Sequence, residues 1–160
     1  MKSLVVYSSQ TGNTRKLAEA AFEALSGEKE ILLVDDAPDP SEYDLIAVGF
    51  WLKGGTADPK SAEYLGKVTQ QAIFLFATHG AAAGSDHAIQ GMEFAKSLAP
   101  ESDIRGTYSC QGEVNPKVLA KASNKPQPPV WLADAQDAVG HPNPVDIEIL
   151  KHQISELFTN

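Results

Sequence analysis

The sequence predicts a doubly wound α/β fold with a five-stranded parallel sheet. Two observations carry that prediction. Short runs of Val, Ile, Leu and Phe recur without polar alternation, as in strands covered on both faces, and segments with helical spacing separate them. Strand and helix alternate, and the crossovers between parallel strands are right-handed. A third observation locates a site: a run of small hydrogen-bonding residues, Ser8 to Thr14, follows the first apolar run directly.

The strands are read over Leu4–Tyr7, Ile31–Val34, Leu45–Val48 and Ile73–Ala77, the last preceded by Gln71 and Ala72. A fifth, Ile104–Cys110, is less apolar and reads as an edge. Helical spacing marks Thr14–Leu25, Ser61–Val68, Asp86–Leu98, Pro116–Ala122 and Pro144–Phe158. In the last of these Val145, Ile149, Ile154 and Leu157 recur near a 3.6 period, and Asp146 and Glu148 occupy the first turns, where the helix dipole favours negative charge. Between Lys125 and Pro144 the alternation stops, with prolines at 126, 128, 129, 142 and 144. This stretch is too short for a second domain. It reads as an ordered surface excursion with Trp131 as its packing anchor, so residues 1–160 form one domain.

A chain of 160 residues removes roughly 70% of its unfolded surface from water on folding. The net charge of −8 opposes binding to nucleic-acid phosphates and to anionic membranes, so neither partner is expected. Cys110 is the sole cysteine, which precludes an intramolecular disulfide and suits a reducing cytoplasm. The opening apolar run is too short for a signal peptide, and nowhere do about 18 apolar residues follow one another. A cytoplasmic protein is therefore expected.

In an open α/β sheet, ligands bind beyond the carboxyl ends of the strands. A loop there directs backbone N–H groups and a helix N-terminus at an anion. Ser9, Thr11 and Thr14 add hydroxyls and Asn13 adds an amide, all able to donate to phosphate oxygens. The stretch lacks both the lysine of a triphosphate loop and the GxGxxG of a dinucleotide loop, and suits one terminal monophosphate. A phospho-receiver needs acidic residues where Ser8 and Ser9 stand. Helix capping alone is the competing reading; so many donors in a row favour phosphate.

Ser9-Gln10-Thr11-Gly12-Asn13-Thr14 resembles the first loop of the flavodoxins, S/T-x-T-G-x-T, and the strand–helix order extends the resemblance over most of the chain. Flavodoxins are themselves the usual illustration of binding at this switch point, so placing FMN there follows from the resemblance. The resemblance implies strand order 2-1-3-4-5. GFWLKGGTADP and CQGEVNP are similar to a divergent flavodoxin-like family of anaerobic bacteria.

Flavodoxins place an aromatic residue of the loop after the third strand against the isoalloxazine ring. Trp51 takes that role here, with Phe50 and Lys53 beside it; a half-buried packing tryptophan is the competing reading. Gly54 and Gly55 can reorient their backbone at small steric cost. After the fourth strand the loop runs from Thr78, His79 and Gly80 through three alanines to Gly84 and Asp86. Many flavodoxins carry a tyrosine in this loop; here one flavin face is left to small groups. His79 reads either as a proton relay or as a hydrogen-bonded structural histidine. His87, His141 and His152 lack metal-ligand spacing, and Cys110 reads as an apolar filler.

The function implied is FMN-bound electron transfer between redox partner proteins with basic faces. An FMN-dependent reductase of a quinone or tetrapyrrole is the alternative, kept open by the uncovered face. A flavin-free interaction module is the third reading, and it leaves the phosphate loop unexplained.

Overall fold

The computed structural model describes residues 1–159. Its strands are β1 (Lys2–Tyr7), β2 (Glu28–Leu33), β3 (Leu45–Lys53), β4 (Thr56–Ala57), β5 (Ala72–His79) and β6 (Asp103–Gln111). All but β4 lie parallel, in the order β2-β1-β3-β5-β6. Counted over the parallel strands alone, this is the expected order 2-1-3-4-5. The short β4 folds back antiparallel onto the end of β3 and was not anticipated. Beyond β1 the chain first builds to one side, at β2, and then to the other, at β3, so the switch point lies between β1 and β3.

The apolar runs form strands because both sheet faces are covered: Leu4, Val5 and Val6 are all fully buried. Helices α1 (Asn13–Ala24) and α5 (Pro144–Glu156) cover one face, where Leu17, Ala21, Leu150 and Ile154 meet Val5, Ala47, Phe74 and Phe76. On the other face α2 (Pro59–Leu65) and α3 (Asp86–Ser97) bring Leu65, Met92 and Ala95 onto Val6, Ile46, Val48 and Leu75. Fully burying a Leu or Phe side chain contributes about 1.5–3 kcal/mol. The remaining helix, α4 (Pro116–Ser123), lies outside this core with only Ala122 buried. Among the described residues no helix is long and apolar enough to cross a membrane.

Two expectations need correction. In α5, Val145 and Ile149 are exposed at 64% and 43%, and the core face is Leu150 and Ile154 with Ile147. The start of this helix fixes its phase: Pro144 stands at its first position, and Asn143 and Asp146 form a reciprocal capping box. The strands β3 and β5 also run further than their apolar cores, because pairing continues through Phe50 with Ala77 and Trp51 with Thr78. Phe50, Trp51, Lys53, Thr78 and His79 are therefore strand residues rather than loop residues. Phe50 is fully buried in the core.

Candidate flavin site

The loop after β1 is tied to the switch point by Ser8 N, which donates to Gly49 O at 3.0 Å. Gly12, at φ 91°, makes the sharp entry into α1, a left-handed conformation that glycine adopts without steric penalty. Its N–H donates to Ser9 Oγ at 3.1 Å. The first helical bond follows, Lys16 N to Gly12 O at 3.2 Å, so the N–H groups of Asn13, Thr14 and Arg15 have no intrahelical acceptor. No side chain caps α1, and its first turn holds no acid. The other four helices are capped by Asp58, Ser85, Asn115 and Asn143. The partial positive charge at the amino end of α1 is thus left for an anion, beside the half-buried Ser9 and the exposed Gln10 and Thr11.

Two of the expected phosphate donors are engaged by other parts of the protein. Asn13 Nδ2 donates to Glu113 O at 2.9 Å, and a Cβ on Gly112 would stand 2.8 Å from that same nitrogen. Thr14 Oγ1 lies 3.0 Å from Thr78 Oγ1, with both residues buried. Side chains in the first turn of a helix that covers a sheet point back toward that sheet, which is why Asn13 and Thr14 brace the loop. Ser9 and Thr11 remain as side-chain hydroxyls on its open side.

Lys53 and Thr56 pair across a two-residue hairpin whose Gly54 and Gly55 have φ of 61° and 83°. Both central residues lie in the left-handed region, as the turn that matches strand twist requires. Buried Asp58 fixes the base of this hairpin: its Oδ1 accepts from Trp51 N at 3.4 Å, its Oδ2 from Ser61 N at 3.2 Å, and its own N–H donates to Trp51 O at 3.0 Å. The Trp51 indole Nε1 donates to Ser8 Oγ at 3.3 Å, which brings the half-buried ring beside the phosphate loop. Lys53 is exposed on the hairpin.

His79, at the end of β5, is buried, with Nδ1 3.0 Å from Ala81 O. A carbonyl only accepts, so Nδ1 carries the hydrogen, and Nε2 is left as a buried acceptor without a partner. Burial pushes the imidazole below its ordinary pKa, the Ala81 carbonyl opposes that shift, and His87 adds to it. The ring is therefore neutral at pH 7. His87 itself lies against the hairpin, its Cε1 3.4 Å from where a Cβ on Gly55 would stand.

Trp131, the expected packing anchor, reaches the same end of the sheet from the proline-rich excursion. A Cβ on Gly80 would stand 2.9 Å from Val114 Cγ2 and 3.3 Å from Trp131 Cε3, so the glycine lets Val114 and the indole approach the backbone closely. Asp134 fastens the excursion to the loop after β5, its Oδ2 accepting from Ala82 N at 3.4 Å. The flanking prolines and the aromatic were visible in the sequence; the partner, 51 residues away in the chain, was not. Gly84, at φ 71°, lies exposed further along that loop.

A family model described as a flavodoxin domain matches residues 4–155. The chain belongs to the flavodoxin domain family. Two relatives carry the name flavodoxin-like domain-containing protein BilS. The one from Clostridioides difficile (strain CD3) is 36% identical over 76% of this chain and 72% of its own. The one from Clostridium symbiosum (strain WAL-14163) is 30% identical over 95% of this chain and 93% of its own. Among solved structures, a flavoprotein in complex with FMN from Lactobacillus acidophilus NCFM superposes with a TM-score of 0.55 at 18% identity, over 68% of this chain and 92% of that one. At that identity the likeness is one of fold.

The flavodoxin domain described here has the donor set that FMN requires. The amino end of α1 is uncapped, with no acid in its first turn, and the hydroxyl residues Ser9 and Thr11 stand in the loop before it. Trp51 stands beside it with ring surface to offer, and the Nε2 of His79 is a buried acceptor that no protein group satisfies.

Proposed function

We propose that this flavodoxin domain binds FMN and carries electrons between redox partner proteins. The observation that carries the reading is the uncapped amino end of α1 under the left-handed Gly12, with Trp51 hydrogen-bonded at its side. FMN, when bound, supplies the redox chemistry, and the protein supplies binding, orientation and electrostatics. The backbone N–H groups of Asn13 to Arg15 and the hydroxyls of Ser9 and Thr11 would hold its phosphate, and Trp51 would cover ring surface. A net charge of −8 draws basic partner faces into transient contact, and acidic groups close to a bound flavin would disfavour added negative charge on it. Buried, unpaired Cys110 suits a reducing cytoplasm as the place of action.

Direct reduction of a quinone or tetrapyrrole drew its appeal from an uncovered flavin face. Trp131 against Gly80, and the burial of Ala81, narrow that side and favour the carrier. The test is to mix reduced, FMN-loaded protein with cytochrome c, a basic one-electron acceptor, at low and high salt, and with a small quinone in parallel. A carrier transfers to cytochrome c at a rate that falls steeply with salt. Salt-independent transfer together with faster multiple turnover of the quinone supports the reductase instead.

A further inference from the structure

We propose that Trp131 is the second aromatic wall of the flavin site, supplied by the proline-rich excursion in place of a ring from the loop after β5. The inference rests on the FMN reading above. Its starting point is that the two tryptophans of the chain bracket the end of a single strand. Trp51 is paired in register with Thr78, and Trp131 lies over Gly80, two residues further along the same chain. Those two positions are only roughly 7 Å apart at the rise of an extended strand. Trp51 belongs to β3, on one side of β5, and the turn that carries Trp131 is bonded to the end of β6, on the other side, where Gln111 Nε2 donates to Asp134 O at 3.5 Å.

The phosphate end and Trp131 are joined through one short segment after β6. Glu113 O accepts from Asn13 Nδ2 at 2.9 Å, and the next residue, Val114, meets Gly80 together with the Trp131 ring. A ligand whose phosphate lies at the amino end of α1 and whose ring extends along the ends of β3 and β5 therefore passes the indole. The indole is held there. The 3-10 turn that carries it closes with Leu132 N to Pro129 O at 3.1 Å, and Asp134 ties that turn to Ala82. Trp131 remains only half-buried, which leaves ring surface for a ligand, while the loop itself offers no aromatic ring. Glycine at 80 suits this arrangement, because a Cβ there would crowd Val114 and press on the indole.

A ring contact and a phosphate contact leave different signatures, and titration of the full chain with FMN and with riboflavin separates them. Aromatic contacts of about 0.5–1.5 kcal/mol correspond to roughly two- to ten-fold in affinity. Trp131→Leu, which keeps apolar packing without the aromatic ring, is expected to weaken FMN and riboflavin by the same factor in that range and to brighten the bound flavin. Trp131→Phe should restore most of the affinity and the quenching. Wild-type affinity and emission in a folded Trp131→Leu protein, with tight FMN binding by the wild type, overturn the wall and leave the FMN reading standing. Absence of FMN binding by the wild type overturns both.

Discussion

The hydroxyls of Thr14 and Thr78 lie 3.0 Å apart in the protein interior and join the first turn of α1 to the end of β5. They connect the helix whose amino end is left uncapped with the strand end near which both tryptophans lie. Thr14→Val or Thr78→Val leaves the surviving hydroxyl buried without its partner, at a cost of about 1–3 kcal/mol. The double variant should lose less than the sum of the singles, because no polar group is then stranded. Urea unfolding of the four proteins reads this out; strict additivity would show that the two hydroxyls act independently.

The hairpin between β3 and β4 tests a backbone argument free of packing, since a Cβ on Gly54 would meet nothing within 4 Å. At φ 61°, Gly54→Asn should be nearly neutral, because asparagine tolerates the left-handed region. Gly54→Val should cost about 1–3 kcal/mol from backbone strain alone. Thermal melts of the two variants supply the comparison, and equal losses would contradict the assigned turn.

His79 makes stability depend on pH in a definite direction. Burial holds its folded-state pKa below the ordinary 6.5. As pH falls through that ordinary value, the unfolded chain takes up a proton that the folded protein still refuses. Unfolding then consumes protons, and stability present above the unfolded pKa is lost as pH falls toward the folded one. Compared by urea unfolding at pH about 7.5 and about 5.5, the wild type should lose more stability than His79→Gln. Equal losses would place the pH dependence on other groups.

Much of this architecture is legible in the sequence because burial on both sheet faces leaves a continuous apolar imprint, as at Leu4, Val5 and Val6. The loop after β1 is legible for a different reason: Gly12 answers a local backbone demand that no other residue meets easily. What escapes is set by distant contacts. The strands β3 and β5 overrun their apolar cores with Trp51, Thr78 and His79, whose pairing comes from the neighbouring strand rather than from their own polarity. The phase of α5 depends on where its capping box sits, so Val145 and Ile149 mimic a core stripe while facing water. Asn13 and Thr14 read as donors to a ligand because nothing local shows that Glu113 and Thr78 stand ready to engage them. Trp131 reaches Gly80 only through the tertiary fold.

The central claim is that the amino end of α1 holds the phosphate of FMN, and titrating the wild-type protein and Thr11→Ala with FMN and riboflavin, followed by flavin fluorescence, tests it most directly. Hydrogen bonds to a charged group contribute about 1.5–3 kcal/mol each, so the wild type should bind FMN at least ten-fold more tightly than riboflavin. Thr11→Ala should weaken FMN while leaving riboflavin nearly unchanged. Equal affinities of the wild type for the two flavins would contradict the account.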